Sequence, residues 1–238
     1  MSSPGEKPFT RADLEEGSTT PIQSRHFWAR ARHVQFSWQG STWFVKDFRP
    51  RTWIIRQTIG RFLVRREFRA LKALDGMRGV PQGVFRLDPF ALCSRYLPGK
   101  ELMQLKKERV RPGKEFFVAL EAIVKEMHGR GVLHLDLRNG RNILVDTEGQ
   151  PVLVDFQSSL KSARMPRWVR RALERVDLSG VYKWWARFSP ESLDGPEAEE
   201  LRKFNQARRL WPFKRVVFQV RLKRKLPRRL RKGNQRCS

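Results

Sequence analysis

The stretch from Leu133 to Gln157, LHLDLRNGRNILVDTEGQPVLVDFQ, constrains the fold of this chain more than any other. Two short apolar runs within it, residues 143–145 and 152–154, flank the turn sequence Thr-Glu-Gly-Gln, and an aspartate follows each run. Apolar runs of this length around a glycine-containing turn predict a buried β-hairpin. The polar loop before them, residues 134–142, carries one Asp, two Asn and two Arg. A rigid hairpin flanked by carboxylates and carboxamides is typical of a site for a metal ion and phosphate groups.

The charge balance is the outlier of the composition. Among the 238 residues, 50 Lys and Arg stand against 24 Asp and Glu, which gives a formal net charge of +26. Such a charge attracts polyanions, whether nucleic acid, an anionic membrane surface or a phosphorylated glycolipid, and does not distinguish among them. The alternative is a generally basic surface that has no particular polyanionic partner.

Cysteine content and hydropathy predict a cytoplasmic protein. Cys93 lies in an apolar run and Cys237 is next to last, so we expect no structural disulfide and a reducing compartment. The start of the chain lacks the pattern of a signal peptide, and no apolar run approaches the ~20 residues that span a bilayer.

The first half of the chain predicts an arm followed by strands and a helix. Residues 1–24 are rich in Ser, Thr, Pro, Gly and Glu without periodicity, so we expect a flexible N-terminal arm. Alternation over residues 34–38 and 42–46 predicts a hairpin with its turn at Gly40 and its second strand ending at Lys46. A three- and four-residue apolar spacing then predicts a helix over residues 59–74.

The middle of the chain predicts two strands, a linker and a long helix. Residues 84–87 and 90–93 have the composition of strands, and residues 96–99 read Tyr-Leu-Pro-Gly, which is typical of a linker. Residues 112–129 begin with a proline and carry one broad apolar stripe, so we expect a helix that packs on the core.

The end of the chain is basic and aromatic. We expect helices over residues 165–181 and 181–188 and a further helix from Pro196, whose first turn is acidic. From Leu201 onward the chain holds 15 Lys and Arg and no acid, interleaved with aromatic and apolar residues. This segment suits an anionic membrane surface, RNA, or a solvated helix face that covers the rest of the protein.

Three motifs follow one another in the second half: His134-Leu135-Asp136-Leu137, Asn142-Ile143-Leu144-Val145 and Val154-Asp155-Phe156-Gln157. They are preceded by the hairpin that ends in Lys46 and by Glu67, 21 residues later. In this order the features resemble the catalytic lysine, helix glutamate, catalytic loop and Asp-Phe-Gly motif of the protein-kinase-like superfamily. The resemblance covers roughly residues 32–160.

The resemblance implies an α+β, two-lobed protein-kinase-like fold with a small β-rich N-lobe and a helical C-lobe. The N-lobe is assigned to residues 25–95 and the C-lobe with its catalytic loop to residues 96–200, between the arm and a basic aromatic segment over residues 201–238. Within the superfamily the chain looks closest to the bacterial lipopolysaccharide-core and Kdo kinases, with the Rio-type kinases as near neighbours. The short N-lobe, Gln157 in place of Gly and the lack of a later Ala-Pro-Glu support this placement.

The same resemblance implies catalytic and metal-binding positions. Asp136 would orient the acceptor hydroxyl and take its proton, and Arg138 would neutralise the γ-phosphate. Asp155 and Asn142 would be oxygen ligands of Mg²⁺, the ion type that prefers such ligands. Asp136 and Asn142 are one residue further apart than is usual, so Asn139 and Arg141 stay open as alternatives for the second metal position. Asp146 is expected to be a turn residue, and His134 a structural support of the loop.

Four positions are implied to bind ATP. Lys46 would hold the α- and β-phosphates and be kept in place by an ion pair with Glu67, while Gly40 of the hairpin turn and Tyr96 of the linker would contact the nucleotide.

The sequence therefore predicts an ATP- and Mg²⁺-dependent kinase with a hydroxyl acceptor. The leading acceptor is a sugar of a lipopolysaccharide precursor at the cytoplasmic face of the inner membrane, which the basic C-terminal segment would contact. One alternative is a protein serine/threonine kinase of the Rio type. Another, from a different class, is an inactive nucleotide-binding scaffold on anionic surfaces.

Overall fold

The computed structural model of this protein describes residues 7–22, 31–193 and 195–210, and only the backbone of residues 207–210. Most of the basic segment predicted over residues 201–238 therefore lies outside the described residues. The described chain has an antiparallel sheet in its first half and a mainly helical second half. This α+β architecture confirms the predicted fold class.

A five-stranded antiparallel sheet, in the order β1-β2-β3-β5-β4, forms the first half. Its strands are β1 (Thr19–Pro21), β2 (Arg32–Trp38), β3 (Ser41–Asp47), β4 (Phe85–Asp88) and β5 (Ala91–Arg95). The predicted hairpin is present as β2 and β3, joined at Gln39 and Gly40, whose φ angles are 45° and 71°. Two consecutive positive φ values match the two-residue turns that follow the natural twist of a hairpin. The two strands predicted after the helix are β4 and β5.

Alternation along β3 separates a core face from a face that carries charge. Trp43 and Val45 are buried with residues of β2 and β5 in a small apolar cluster on one side of the sheet. Lys46 points to the other side, because successive strand residues alternate between faces. Apolar packing on one face of β3 thus fixes the strand whose other face carries Lys46.

Residues 7–22 are folded onto this sheet, in contrast to the flexible arm predicted for residues 1–24. The segment forms the short helix α1 (Arg11–Glu16), which Thr10 caps, and β1, which pairs with β2. Phe9 is 2% exposed and contacts Phe36, Trp43 and Phe85 through edge-to-face ring pairs, which fixes the segment. Helices and strands this short leave no periodic signal in the sequence.

The helix predicted over residues 59–74 is α3 (Arg61–Ala73), and it has an unusual start. A single turn, α2 (Trp53–Ile55), leads into a π-helical segment over Arg56–Gly60, where the Arg61 amide bonds to the Arg56 carbonyl. The buried face of α3 carries Val64, Glu67, Ala70 and Leu71. A glutamate on an apolar helix face needs a buried partner.

The second half contains the predicted hairpin and four helices within the described residues. Its strands are β6 (Gly99–Glu101), β7 (Val132–Leu133), β8 (Ile143–Asp146), β9 (Pro151–Leu153) and β10 (Leu160–Lys161). Its helices are α4 (Leu102–Glu108), α5 (Lys114–Gly129), α6 (Arg167–Phe188) and α7 (Gly195–Leu210). β8 and β9 are the predicted buried hairpin, with β6 as a third strand.

Two helices differ in detail from the prediction. α5 begins at Lys114 with Gly113 as its N-cap, so Pro112 lies just before the helix rather than in its first turn. α6 is continuous where two helices meeting at Val181 were predicted, and buried Trp184 and Trp185 hold its second half against the core. None of the described helices is both long enough and apolar enough to cross a membrane.

We expect Phe9→Ala to lower the free energy of unfolding by about 3–5 kcal/mol, because the change empties a buried site lined by three aromatic rings. Urea unfolding followed by circular dichroism would measure this loss. Glu16→Ala, on the exposed end of α1, is the matched control and should leave the stability unchanged within about 0.5 kcal/mol. An equal response of both variants would mean that residues 7–22 do not belong to the stable fold.

Candidate active site

A buried lysine between two carboxylates forms the centre of the site. The Lys46 ammonium, 3% exposed, donates to both carboxylate oxygens of Glu67 at 2.9 and 2.8 Å and to Oδ1 of Asp155 at 3.0 Å. These three residues come from β3, from α3 and from the position after β9. The ion pair predicted between Lys46 and Glu67 is therefore present, and the structure adds Asp155 to it.

The charges in this cluster shift one another's pKa values. Burial disfavours the charged form of Lys46, yet the carboxylates of Asp155 and Glu67 outweigh it and hold the lysine pKa above its usual value. Partial burial raises the pKa of Asp155, but the charge of Lys46 outweighs this effect and leaves the pKa of the carboxyl group below its usual range. Burial raises the pKa of Glu67 despite the lysine. Lys46 and Asp155 therefore persist as an ion pair at neutral pH.

The backbone around Asp155 is set by special geometry. Asp155 has φ +65° and ψ 64°, the left-handed region that a non-glycine residue rarely adopts, and its side chain is 45% exposed. The next residue, Phe156, is fully buried, and its amide donates to Glu67 at 3.2 Å. The strained turn thus holds the Asp155 carboxylate against the Lys46 ammonium, while the buried ring of Phe156 anchors the turn in the core. The solvent-facing side of this cluster, where Asp155 is exposed, is called the cleft.

The loop before β8 folds as two successive turns. The amide of Asn139 donates to the Asp136 carbonyl at 3.1 Å, and the amide of Asn142 donates to the Asn139 carbonyl at 3.0 Å. The Asn142 side chain returns to Asp136, where its Nδ2 donates to Oδ2 at 3.0 Å and to the backbone carbonyl at 3.1 Å. The two turns accommodate the extra residue and still bring Asn142 to Asp136.

The three alternatives for the second metal position now differ in placement. The backbone carbonyl of Asn142 accepts from Val154, directly before Asp155, so Asn142 lies across the hairpin from that position. Asn139 donates to Asp136 and Asn142 at 3.4 and 3.3 Å and braces both. Arg141 turns toward Glu101, with 3.8 Å between the guanidinium and the carboxylate. The geometry favours Asn142, with Asn139 as its support.

His134 supports the loop from inside the core. Its Nε2 lies 3.0 Å from the carbonyl of Val154, which can only accept, so the proton is on Nε2. Nδ1 is then an acceptor and receives the Asp136 amide at 3.3 Å. The ring also packs on Phe156, with the centroids 4.7 Å apart. These contacts agree with the structural role predicted for His134.

Asp177 of α6 holds the same loop and was not predicted. Its fully buried carboxylate accepts from the amides of His134 and Leu135 at 2.8 and 2.7 Å, and lies 3.1 Å from Nε2 of His128. Leu135 has φ +65°, so the carboxylate secures a strained backbone. The one signal in the sequence is an acid between two apolar residues of a helix, Val176-Asp177-Leu178.

Arg66 is a second position that sequence reasoning missed. It stands beside Glu67 on α3 and donates to the backbone carbonyls of Ser158 and Ser159, both at 2.5 Å. Burial lowers the pKa of this arginine. The contact ties α3 to the segment after Asp155 and so keeps Glu67 near Lys46.

Arg138 lies on the helical side of the loop. Its guanidinium donates to the Ser179 carbonyl and hydroxyl at 3.2 and 3.0 Å and sits over the ring of Phe204, 5.6 Å from its centroid. Lys183 of α6 donates to the Arg138 carbonyl at 2.6 Å. The predicted role of Arg138 at the γ-phosphate stays a prediction.

The two remaining predicted ATP contacts differ in position. Gly40 is separated from Lys46 by the length of β3, about 20 Å for six residues of extended strand, so the structure does not bring Gly40 to the cluster. The reason is that β1 precedes the predicted hairpin, which is therefore the second one of the sheet. The sheet neighbours of Lys46 are His33 of β2 and Leu92 of β5. Tyr96 follows β5 and bonds through its amide to Thr42; its contact with a nucleotide stays a prediction.

Comparison with protein families now identifies the fold. The family model described as the RIO domain matches residues 39–198, which is about two thirds of the chain. The chain belongs to the RIO domain family. This places it in the protein-kinase-like superfamily next to the Rio-type kinases, and the family supports a kinase-like, ATP-dependent phosphotransferase. No curated protein matches the sequence.

The donor set of this RIO domain fits ATP and Mg²⁺. The groups in the cleft are oxygen donors, the carboxylates of Asp155 and Asp136 and the amide oxygen of Asn142, together with the Lys46 ammonium. Among the described residues no three His, Cys, Asp or Glu side chains cluster as a self-sufficient metal site. Mg²⁺ takes one or two carboxylates and completes its shell with waters and substrate phosphates, so the carboxylates of Asp155 and Asp136 suit this ion.

We expect Asp177→Asn to destabilise the RIO domain by about 3 kcal/mol, because the two buried backbone amides donate to different carboxylate oxygens and the NH2 group of asparagine would leave one of them without an acceptor. Urea unfolding would measure the loss. The matched control is Asp146→Asn, whose carboxylate accepts from two backbone amides at 2.9 and 2.7 Å in the partly exposed hairpin turn. Both amides donate to the same oxygen, Oδ1, which an asparagine keeps, so a loss below about 1 kcal/mol is expected. Equal losses would refute the bracing role of Asp177.

Proposed function

We propose that this RIO domain protein is an active kinase that uses ATP and Mg²⁺ to phosphorylate a hydroxyl group. The observation that carries the proposal is the Lys46 ammonium, held by Glu67 and Asp155 within 3.0 Å beside the Asp136–Asn142 pair. A structural salt bridge would need one carboxylate, and the second one, 45% exposed in the cleft, is available for a ligand. The chain keeps all four family positions at Lys46, Asp136, Asn142 and Asp155, which weighs against an inactive scaffold.

Each side chain has a separate task in the proposed reaction. Lys46 binds and orients the phosphates of ATP, and Glu67 keeps the ammonium extended into the cleft. Asp136 accepts a hydrogen bond from the acceptor hydroxyl and takes its proton as the oxygen attacks the γ-phosphorus, while the bond from that phosphorus to the β–γ bridging oxygen breaks and ADP leaves. Asn142 and Asn139 fix the orientation of the Asp136 carboxylate. Bound Mg²⁺, held by Asp155 and Asn142, would neutralise charge on the phosphates. Positioning and charge neutralisation are the main demands of phosphoryl transfer.

We further propose that the acceptor is a sugar hydroxyl of a membrane glycolipid of the lipopolysaccharide-core or Kdo type. The net charge of +26 supports a polyanionic acceptor or an anionic surface around it. In this proposal the protein is cytoplasmic and peripheral to the inner membrane, and the basic segment over residues 201–238 contributes to its attachment. The competing acceptor is a protein serine or threonine, which is compatible with the RIO domain match.

Substitutions at the two cleft aspartates test the enzyme. We expect Asp136→Asn and Asp155→Asn each to lower kcat for phosphoryl transfer or ATP turnover by about 10²–10⁴-fold, while the protein still folds, since Asn tolerates the left-handed backbone at position 155. The assay follows γ-labelled ATP with Mg²⁺. Asp146→Asn, an aspartate of the same hairpin outside the cleft, should keep wild-type turnover. A wild type that binds ATP yet turns over no faster than both variants would instead establish the scaffold.

Parallel labelling distinguishes the acceptor classes. The protein is incubated with γ-labelled ATP and either a membrane lipid extract or soluble cell protein, and with the Asp136→Asn variant as the control in each arm. We expect label in the glycolipid fraction that depends on Asp136. Label confined to protein would refute the glycolipid acceptor and support a Rio-type protein kinase, without affecting the proposal that the protein is a kinase.

A further inference from the structure

The outer side of α2, the π-helical segment and α3 carries apolar side chains that nothing in the described structure covers. Trp53, Ile54 and Phe62 are 67%, 68% and 60% exposed. Other large apolar side chains of the described residues are exposed singly, at separate places in the fold. Exposed Trp, Ile and Phe within ten residues of one helical stretch indicate a contact surface rather than ordinary scatter.

The π-helical segment helps to bring these side chains to one side. Nine residues of unbroken α-helix make about two and a half turns and would place Trp53 and Phe62 on opposite sides. The segment over Arg56–Gly60 contains wider turns, with the Arg61 amide bonded to the Arg56 carbonyl five residues before it. Wider turns reduce the rotation between the two positions. The segment thus brings Trp53 closer to the side of the helix that carries Phe62 than a regular helix would.

Basic residues accompany this apolar surface, and acids are missing from it. Residues 49–72 contain eight Lys and Arg and a single acid, Glu67. Glu67 is buried on the opposite face of α3, in the ion pair with Lys46. Arg61, Arg65 and Arg69 are exposed. The outer face therefore combines exposed arginines with the exposed apolar side chains of Trp53, Ile54 and Phe62.

We propose that this face, the docking ridge made of Trp53, Ile54, Phe62, Arg61, Arg65 and Arg69, binds the surface of an anionic phospholipid bilayer. The three apolar side chains would enter the interfacial region, while the guanidinium groups would remain at the level of the phosphates. Charge complementarity selects an anionic surface. The branched aliphatic side chain of Ile54 selects a bilayer over single-stranded nucleic acid, because it has no ring on which a base can stack.

The docking ridge is a different surface from the catalytic cleft. It lies on the outer side of the helix whose inner side carries Glu67, so docking would leave the Lys46 cluster unobstructed. The proposal stands on the described residues alone and requires neither the kinase activity nor the segment beyond residue 210. A protein without kinase activity could still bind membranes through this ridge.

Vesicle sedimentation with the full chain tests the proposal. The probes are vesicles of phosphatidylcholine alone and of phosphatidylcholine with phosphatidylglycerol. We expect binding to the anionic vesicles, and the variant Trp53→Ser/Ile54→Ser/Phe62→Ser should reduce the partition coefficient at least ~10-fold. The variant Arg61→Gln/Arg65→Gln/Arg69→Gln should reduce it by a similar factor and weaken its dependence on salt.

The matched control removes exposed apolar side chains elsewhere, through Val110→Ser, Val118→Ser and Trp168→Ser, and should leave the partition coefficient unchanged. Unfolding midpoints equal to wild type show that the ridge variants fold. Equal vesicle binding by wild type and both ridge variants would overturn the proposal, as would an equal loss in the control. A loss of single-stranded RNA binding with unchanged vesicle binding would overturn it in favour of nucleic acid.

Discussion

The structure depends on keeping one ammonium group charged inside the protein. Burying Lys46 removes its hydration, and only close carboxylates can compensate for that loss. Glu67 reaches it from α3 and Asp155 from the end of β9, so a single buried charge joins the sheet, the helix and the polar hairpin. The sheet, the helix and the hairpin must all be in place for the buried ammonium to have both carboxylate partners. The arrangement of the cleft therefore follows from the loss of water around Lys46. The left-handed backbone of Asp155 is a conformational cost of placing its carboxylate at Lys46. The hydrogen bonds from Arg66 to the carbonyls of Ser158 and Ser159 stabilise the same arrangement.

A second buried charge organises the loop behind the cleft. Asp177 accepts hydrogen bonds from the backbone amides of His134 and Leu135, where the backbone is strained. The His134 ring in turn donates to the Val154 carbonyl and accepts from the Asp136 amide. Because the loop is held at its start by α6 and at its end by the hairpin, its interior can vary in length. The additional residue is absorbed in two consecutive turns between Asp136 and Asn142, and the side-chain contact between them survives. Loop length is thus less constrained here than the positions of the two ends.

Much of this could be predicted from the sequence, and the reasons for the failures are physical. The β2–β3 and β8–β9 hairpins were predictable because alternation and apolar runs reflect local burial. Lys46, Glu67 and Asp155 were found together through the order of family motifs. Asp177 was missed, since its partners are 42 and 43 residues away in sequence.

The flexible arm and the expected place of Gly40 near Lys46 differ from the structure for a common reason. α1 has six residues and β1 has three, too few for a periodic pattern, although Phe9 makes the segment part of the core. Without β1 the hairpin at Gly40 is taken as the first of the sheet, and its glycine is assigned to the nucleotide. The register shows instead that Lys46 lies at the far end of β3, beside His33. A short strand held by tertiary contacts therefore decides the place of this hairpin in the sheet, and local sequence carries no periodic signal for that strand. The charges of α3 are a second example in which the sequence alone is not enough. Glu67 and the arginines are neighbours in the sequence, and only the fold shows that Glu67 is buried while Arg61, Arg65 and Arg69 are exposed on the opposite side of the helix.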